Sequence, residues 1–301
     1  AVSAFCNAGF ALHTDNLVGS ARSPGVLGTI GVLIVIGGLG YPLLMELLRF
    51  ELLNAPLLRR LRYWAGGNGP RLQAGGVSRL SLHTRLVLWS TALLLLLGTV
   101  FFFACERGHA LREFDFSAAL SNALFHSISA RTAGFNAVDF GHLQHVTLVV
   151  LMVFMAIGAS PGSTGGGVKT TTLAVLFLTV RSMMRGRDHI ECFGRAIPRS
   201  VLQSCVTVAA MYASAVVLVV TLLAVTHPHL EFSALLFETV SALSTVGLST
   251  GVTAELNDAG KLILCAAMLC GRVGPLSIVW FVLTKPPARR YQYPEESVIV
   301  S

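Results

Sequence analysis

The chain has 301 residues, 53% of them hydrophobic and only 12% charged, with a net charge of +7 at neutral pH. A water-soluble domain carries about 25% charged residues, so this composition, with a mean hydropathy of +0.70, excludes an ordinary soluble enzyme and points to an all-α polytopic membrane protein. The positive charge is no nucleic-acid signature, because it is concentrated in two connections and the C-terminal tail.

In chain order, residues 2–12 (VSAFCNAGFAL) are a short apolar stretch ending in a glycine turn, followed by a long apolar run from Gly25 to Leu48. A helix needs roughly 20 apolar residues to cross a bilayer, and this run is long enough. Gly37, Gly38 and Gly40–Pro42 predict a kink inside it. Residues 49–85 hold seven arginines (49, 59, 60, 62, 71, 79, 85) against Glu51. A second span is predicted over Leu86–Ala104 and an interrupted one over 146–180. Residues 181–200 carry five arginines against Asp188 and Glu191, and two further spans follow at Ser204–Val225 and Gly260–Leu283. The tail adds Lys285, Arg289 and Arg290. Arginine-rich connections of this length face the cytoplasm, which orients the chain, and the opposite connections are acidic or mixed.

Three segments resemble one another: VSAFCNAGFAL at 2–12, SISARTAGFNA at 127–137 and VSALSTVGLST at 240–250. Aligned on Gly9, Gly134 and Gly247, spaced by 125 and 113 residues, they share the turns Asn7-Ala8-Gly9-Phe10, Thr132-Ala133-Gly134-Phe135 and Thr245-Val246-Gly247-Leu248. A stretch too short to span precedes each glycine, and a spanning run follows it. The unit predicted is spanning helix, half-length helix, glycine turn, spanning helix. Non-helical backbone at membrane depth is tolerated where it is buried in protein or lines water. Carbonyl oxygens in such turns, beside the negative end of a short helix, make a site for a dehydrated cation. The first unit starts inside its half-length helix, so a further unit upstream of residue 1 is expected.

The run 146–180 is broken by GASPGSTGGGVKTTT, Gly158–Thr172. It fails as a phosphate loop, since Val168 separates Gly167 from Lys169 where the pattern needs lysine directly after glycine. Gly158, Ser160, Gly162, Ser163, Thr164, Gly165, Gly166, Gly167 and Lys169 instead read as a flexible polar segment beneath the Gly134 turn. Lysine inside a span costs about 2.5–3.5 kcal/mol, so Lys169 is expected to face the cavity or a carboxylate. Arg272, between glycines in the last span, is expected to be an electrostatic barrier in the pore, with Pro275 kinking the helix one turn later. The six cysteines and nine histidines show no metal or redox spacing, and no carboxylate pair or His/Ser constellation supports the competing reading, a membrane enzyme acting on a phosphorylated substrate.

The turns NAGF, TAGFN and TVGLSTG, the loop GSTGGGVKTTT and the ending GRVGP together resemble the Trk/Ktr/HKT family of potassium transporters, and most closely its Ktr membrane subunits. The resemblance covers the whole chain. It implies four membrane–pore–membrane repeats around one pore, with residues 1–48 ending repeat two, 49–85 a basic cytoplasmic linker, 86–180 repeat three, 181–203 a second linker, 204–285 repeat four and 286–301 a cytoplasmic tail. It implies that the three glycine turns are the filter, that the Gly/Ser loop is its gate, and that potassium is the transported ion, with sodium or another monovalent cation as the alternative. It further implies a homodimer in the cell membrane, seated on a cytoplasmic ring of nucleotide-binding subunits. It allows sodium dependence, and any ATP or ADP response would come through a separate subunit, since this chain carries no dinucleotide fingerprint and no cofactor site of its own.

Overall fold

The computed structural model describes residues 1–13, 15–54, 80–186 and 189–274. Ten helices are described: α1 (Val2–Phe5), α2 (Pro24–Leu39), α3 (Tyr41–Asn54), α4 (Leu82–Glu106), α5 (Phe116–Ser129), α6 (His145–Ala156), α7 (Thr170–Met184), α8 (Arg199–Thr226), α9 (Phe232–Leu243) and α10 (Asp258–Val273). The arginines between residues 59 and 79, Pro275, the second half of the run 260–283 and the tail lie outside the described residues.

Two helices, α4 and α8, are long and apolar enough to cross a membrane. At 1.5 Å per residue the 25 residues of α4 reach about 37 Å, beyond the roughly 30 Å of a hydrocarbon core. Ser81 starts this helix by accepting the Thr84 N–H at 3.2 Å, which satisfies one of its free N-terminal donors.

The run 25–48 is sharper than the predicted kink. It divides into α2 and α3, which meet at 98°, because Gly40 adopts φ +88 and ends the hydrogen-bond ladder. The run 146–180 likewise divides, into α6 of 12 residues and α7 of 15, with Ile157–Lys169 between them. Of the five predicted spans, only two are single uninterrupted helices among the described residues.

The short helices α5 and α9 form the centre of the molecule. Every residue of α9 from Phe237 to Leu243 is buried, and so is all of α5 from Phe125 to Ser129. Around α5, Phe125 and Ile128 pack on Leu27 and Ile34 of α2, while Phe102 of α4, Met155 of α6 and Phe237 of α9 share a second cluster. Leu223 of α8, Leu235 of α9 and Leu264 of α10 build a third.

The expectation of an all-α fold needs one correction. Ile190–Cys192 and Arg195–Ile197 pair as an antiparallel hairpin, β1–β2, with Cys192 opposite Arg195. Phe193 and Gly194 both take positive φ, +50 and +74, as a two-residue hairpin turn of matching twist requires.

Candidate functional site: three glycine turns over a broken helix

Each short helix ends in a turn with the same backbone signature. The glycine has positive φ (Gly9 +71, Gly134 +74, Gly247 +91), and so does the residue two before it (Asn7 +51, Thr132 +78, Thr245 +54). Left-handed conformations at alternate residues prevent continuation of either a helix or a strand. For Asn and Thr, which carry a Cβ, the conformation costs roughly 1–2 kcal/mol each, so surrounding contacts must hold it.

A serine at the end of each short helix supplies such contacts on both sides of the glycine. The carbonyls of Ser3, Ser129 and Ser241 accept the N–H groups of Ala8, Ala133 and Val246 at 2.9, 3.0 and 2.9 Å. Their hydroxyls reach the residue after the glycine. Ser3 Oγ accepts from Phe10 N at 2.9 Å, Ser129 Oγ donates to the Phe135 carbonyl, and Ser241 Oγ donates to the Leu248 carbonyl at 2.6 Å. Behind the third turn, Tyr212 Oη and Ser244 Oγ share a hydrogen bond of 2.7 Å. Sequence reasoning missed these serines. Ser3 and Ser241 lie six residues before their glycines and Ser129 five, so the ungapped alignment set Ile128 against them.

The turns lie side by side, with Gly134 in the middle. A Cβ built on Gly9 would fall 2.9 Å from the Ala133 carbonyl oxygen and 3.3 Å from Gly134 Cα. One on Gly134 would overlap the Val246 carbonyl oxygen and fall 3.3 Å from Gly247 Cα. Backbone therefore approaches backbone with no room for a side chain. The flanking residues differ between turns: Phe135 and Leu248 are buried at 4% and 2% exposure, whereas Phe10 is 80% exposed. Asn7, Thr132 and Thr245 each keep a buried side-chain oxygen without a partner.

The Gly/Ser loop packs against two of these side chains. A Cβ on Gly165 would overlap Thr132 Oγ1, and one on Gly166 would overlap Thr245 Oγ1. Gly158, Gly162 and Gly167 make its close turns, the last two at φ +72 and +71. Its neck closes where Gly158 N donates to the Val168 carbonyl at 2.8 Å and Val168 N to the Ala156 carbonyl at 3.1 Å. A helix leaves its last four carbonyls and first four N–H groups unpaired, and the loop fills those gaps at the α2–α3 break. Ser160 N donates to Gly38 O at 3.1 Å, Thr164 N to Gly37 O at 3.5 Å, and Tyr41 N to the Gly162 carbonyl at 3.0 Å. Within the loop, Ser163 Oγ donates to the Ser160 carbonyl at 2.5 Å.

Lys169, expected to face the cavity or a carboxylate, turns into its own loop, where its Nζ donates to the Gly165 carbonyl at 2.6 Å. The broken helix leaves carbonyls free, and these take the ammonium. Arg272 reaches the same loop from the last turn of α10, donating from Nη1 to the Thr164 carbonyl. Among the described residues, neither cation forms an ion pair and no group of His, Cys, Asp and Glu is arranged to hold a metal.

A family model described as TrkH, cation transport protein, matches residues 1–292. The chain is 34% identical, over 99% of its length, to the Ktr system potassium uptake protein B of Vibrio alginolyticus, covering 61% of that protein. It is 34% identical, over its full length, to the potassium/sodium uptake protein NtpJ of Enterococcus hirae, covering 62% of it. The crystal structure of the potassium transporter TrkH from Vibrio parahaemolyticus has the same fold, with a TM-score of 0.70 at 21% identity over 93% of this chain and 56% of that one. The chain thus spans about three fifths of the length of the relatives it matches. Its apolar helices are those of a membrane protein, and the chain belongs to the TrkH family of cation transport proteins.

Proposed function

We propose that this chain forms most of a potassium uptake pore in the cell membrane, in which dehydrated cations are held by backbone carbonyls at Gly9, Gly134 and Gly247. The observation that carries the proposal is the repeated left-handed signature at these glycines, together with their packing backbone against backbone. Turns built this way direct carbonyl dipoles rather than side chains toward a common space, and such oxygens replace an ion's hydration shell. The unpartnered oxygens of Asn7, Thr132 and Thr245 add a second ring below. The units 1–48, 86–180 and 204–285, crossing the membrane several times with linkers and tail in the cytoplasm, are part of this proposal.

The loop 158–167 is the gate in this reading. It stands against Thr132 and Thr245, and its bonds to Gly37, Gly38 and Arg272 hold it there. Arg272 then acts as an electrostatic barrier and as the latch of the closed state. Sodium uptake is the second reading, favoured by the potassium/sodium description of the Enterococcus hirae relative. The naming of relatives as parts of a Ktr system supports partner subunits; in this proposal they are a second copy in the membrane and a cytoplasmic nucleotide-binding ring through which ATP or ADP would act. The decisive experiment is potassium and sodium uptake by an uptake-deficient cell expressing the full-length gene. Wild type restores growth on low potassium and Gly134→Ser does not. Equal uptake of both ions by wild type selects the second reading, and no uptake of either removes the first.

A further inference from the structure

Arg131 and Ser244 occupy the same place, three residues before Gly134 and Gly247. In the α8–α9 pair, Tyr212 on the long helix bonds Ser244 directly at 2.7 Å. The α4–α5 pair lacks that bond and has a cavity of about 20 Å³ instead. Two polar groups line it, Arg131 at 8% exposure and Thr91 at 7%. Arg131 Nε and Thr91 Oγ1 are both buried without a hydrogen-bond partner. The remaining wall is mostly Ile34, Val35, Leu95 and Ile128.

A guanidinium has donors only and stays charged at any physiological pH, and a buried charge is stable only when paired or coordinated. No ion pair among the described residues includes Arg131. The space holds one particle of about the size of a water molecule, and a positive charge, a hydroxyl donor and apolar walls together favour a small, weakly hydrated anion. We infer that the cavity between α2, α4 and α5, lined by Arg131 and Thr91, binds a single monovalent anion of the halide class. Occupancy neutralises the charge directly beside Thr132 and the Gly134 turn, so the anion sets the electrostatic potential at the back of that turn. Binding is a separate matter from transport and stands or falls by its own measurement.

The test uses the full-length protein in detergent, with gluconate replaced by chloride at constant potassium and ionic strength. Saturating chloride raises the unfolding midpoint by about 2–4 °C, and crystals grown with bromide show an anomalous peak between Arg131 and Thr91. Arg131→Gln abolishes the chloride shift. Where that variant fails to fold, Thr91→Val, which removes only a hydroxyl, raises the half-saturating chloride concentration several-fold. A midpoint independent of chloride, a cavity holding only water in bromide crystals, or a shift unchanged in both variants overturns the inference. A chloride shift in a protein that moves no cation supports the anion site and refutes the transport reading instead.

Discussion

Replacing Gly134 by alanine tests the packing of the three turns quantitatively. The new Cβ sits at φ +74, which costs roughly 1–2 kcal/mol for an L-residue. It also overlaps the Val246 carbonyl oxygen, and displacing a packed group adds about 1–3 kcal/mol. The sum is about 2–5 kcal/mol, delivered at the backbone of the adjacent turn. Gly9→Ala carries the same strain with a milder approach, 2.9 Å to the Ala133 carbonyl oxygen, and Gly247→Ala has only Gly134 Cα at 3.7 Å. Gly25, in α2 with nothing within 4 Å, is the control. Unfolding midpoints and potassium-to-sodium uptake ratios should fall in the order Gly134→Ala, Gly9→Ala, Gly247→Ala, with Gly25→Ala like wild type. A Gly247→Ala variant as impaired as Gly134→Ala, or three variants indistinguishable from the control, would refute the reasoning.

The remaining predictions address the supports of the site. Ser241→Ala removes the bonds to the Leu248 carbonyl at 2.6 Å and from Gly247 N at 3.2 Å. It should lower stability by about 1–3 kcal/mol and relax ion preference, and an unaltered uptake ratio would count against the serine clasp. Arg272→Ala releases the Thr164 carbonyl and should raise cation flux; unchanged flux at normal expression contradicts the latch. Gly158→Ala sets a Cβ onto the Gly166 carbonyl and should leave the pore leaky, measured as cation efflux from loaded vesicles. Glu46 accepts from Ser81 N at 2.6 Å and Ser81 Oγ at 2.7 Å, joining α3 to the start of α4. Glu46→Ala should therefore cost about 1.5–3 kcal/mol in a thermal melt without changing ion preference.

Composition alone determined the solvent. Low charge and long apolar runs mark a membrane protein, and the glycine-aligned repeat marked where its backbone turns. Gly9, Gly134 and Gly247 were legible through the repeat; all three take positive φ, and at Gly9 and Gly134 the neighbouring backbone also leaves no room for a Cβ. The hydrogen bonds that hold those turns were not legible, since Ser129 sits one residue out of register with Ser3 and Ser241. The polar loop was readable as a break, yet its partners Gly37, Gly38 and Arg272 are 108 or more residues from the groups they bond and meet them only through packing. The length of an apolar run placed a span at 25–48 without revealing that α2 and α3 diverge by 98°. That angle depends on carbonyls and N–H groups satisfied by a segment far along the sequence. Local pattern specifies which backbone groups are left unpaired, and the tertiary structure alone decides what pairs with them.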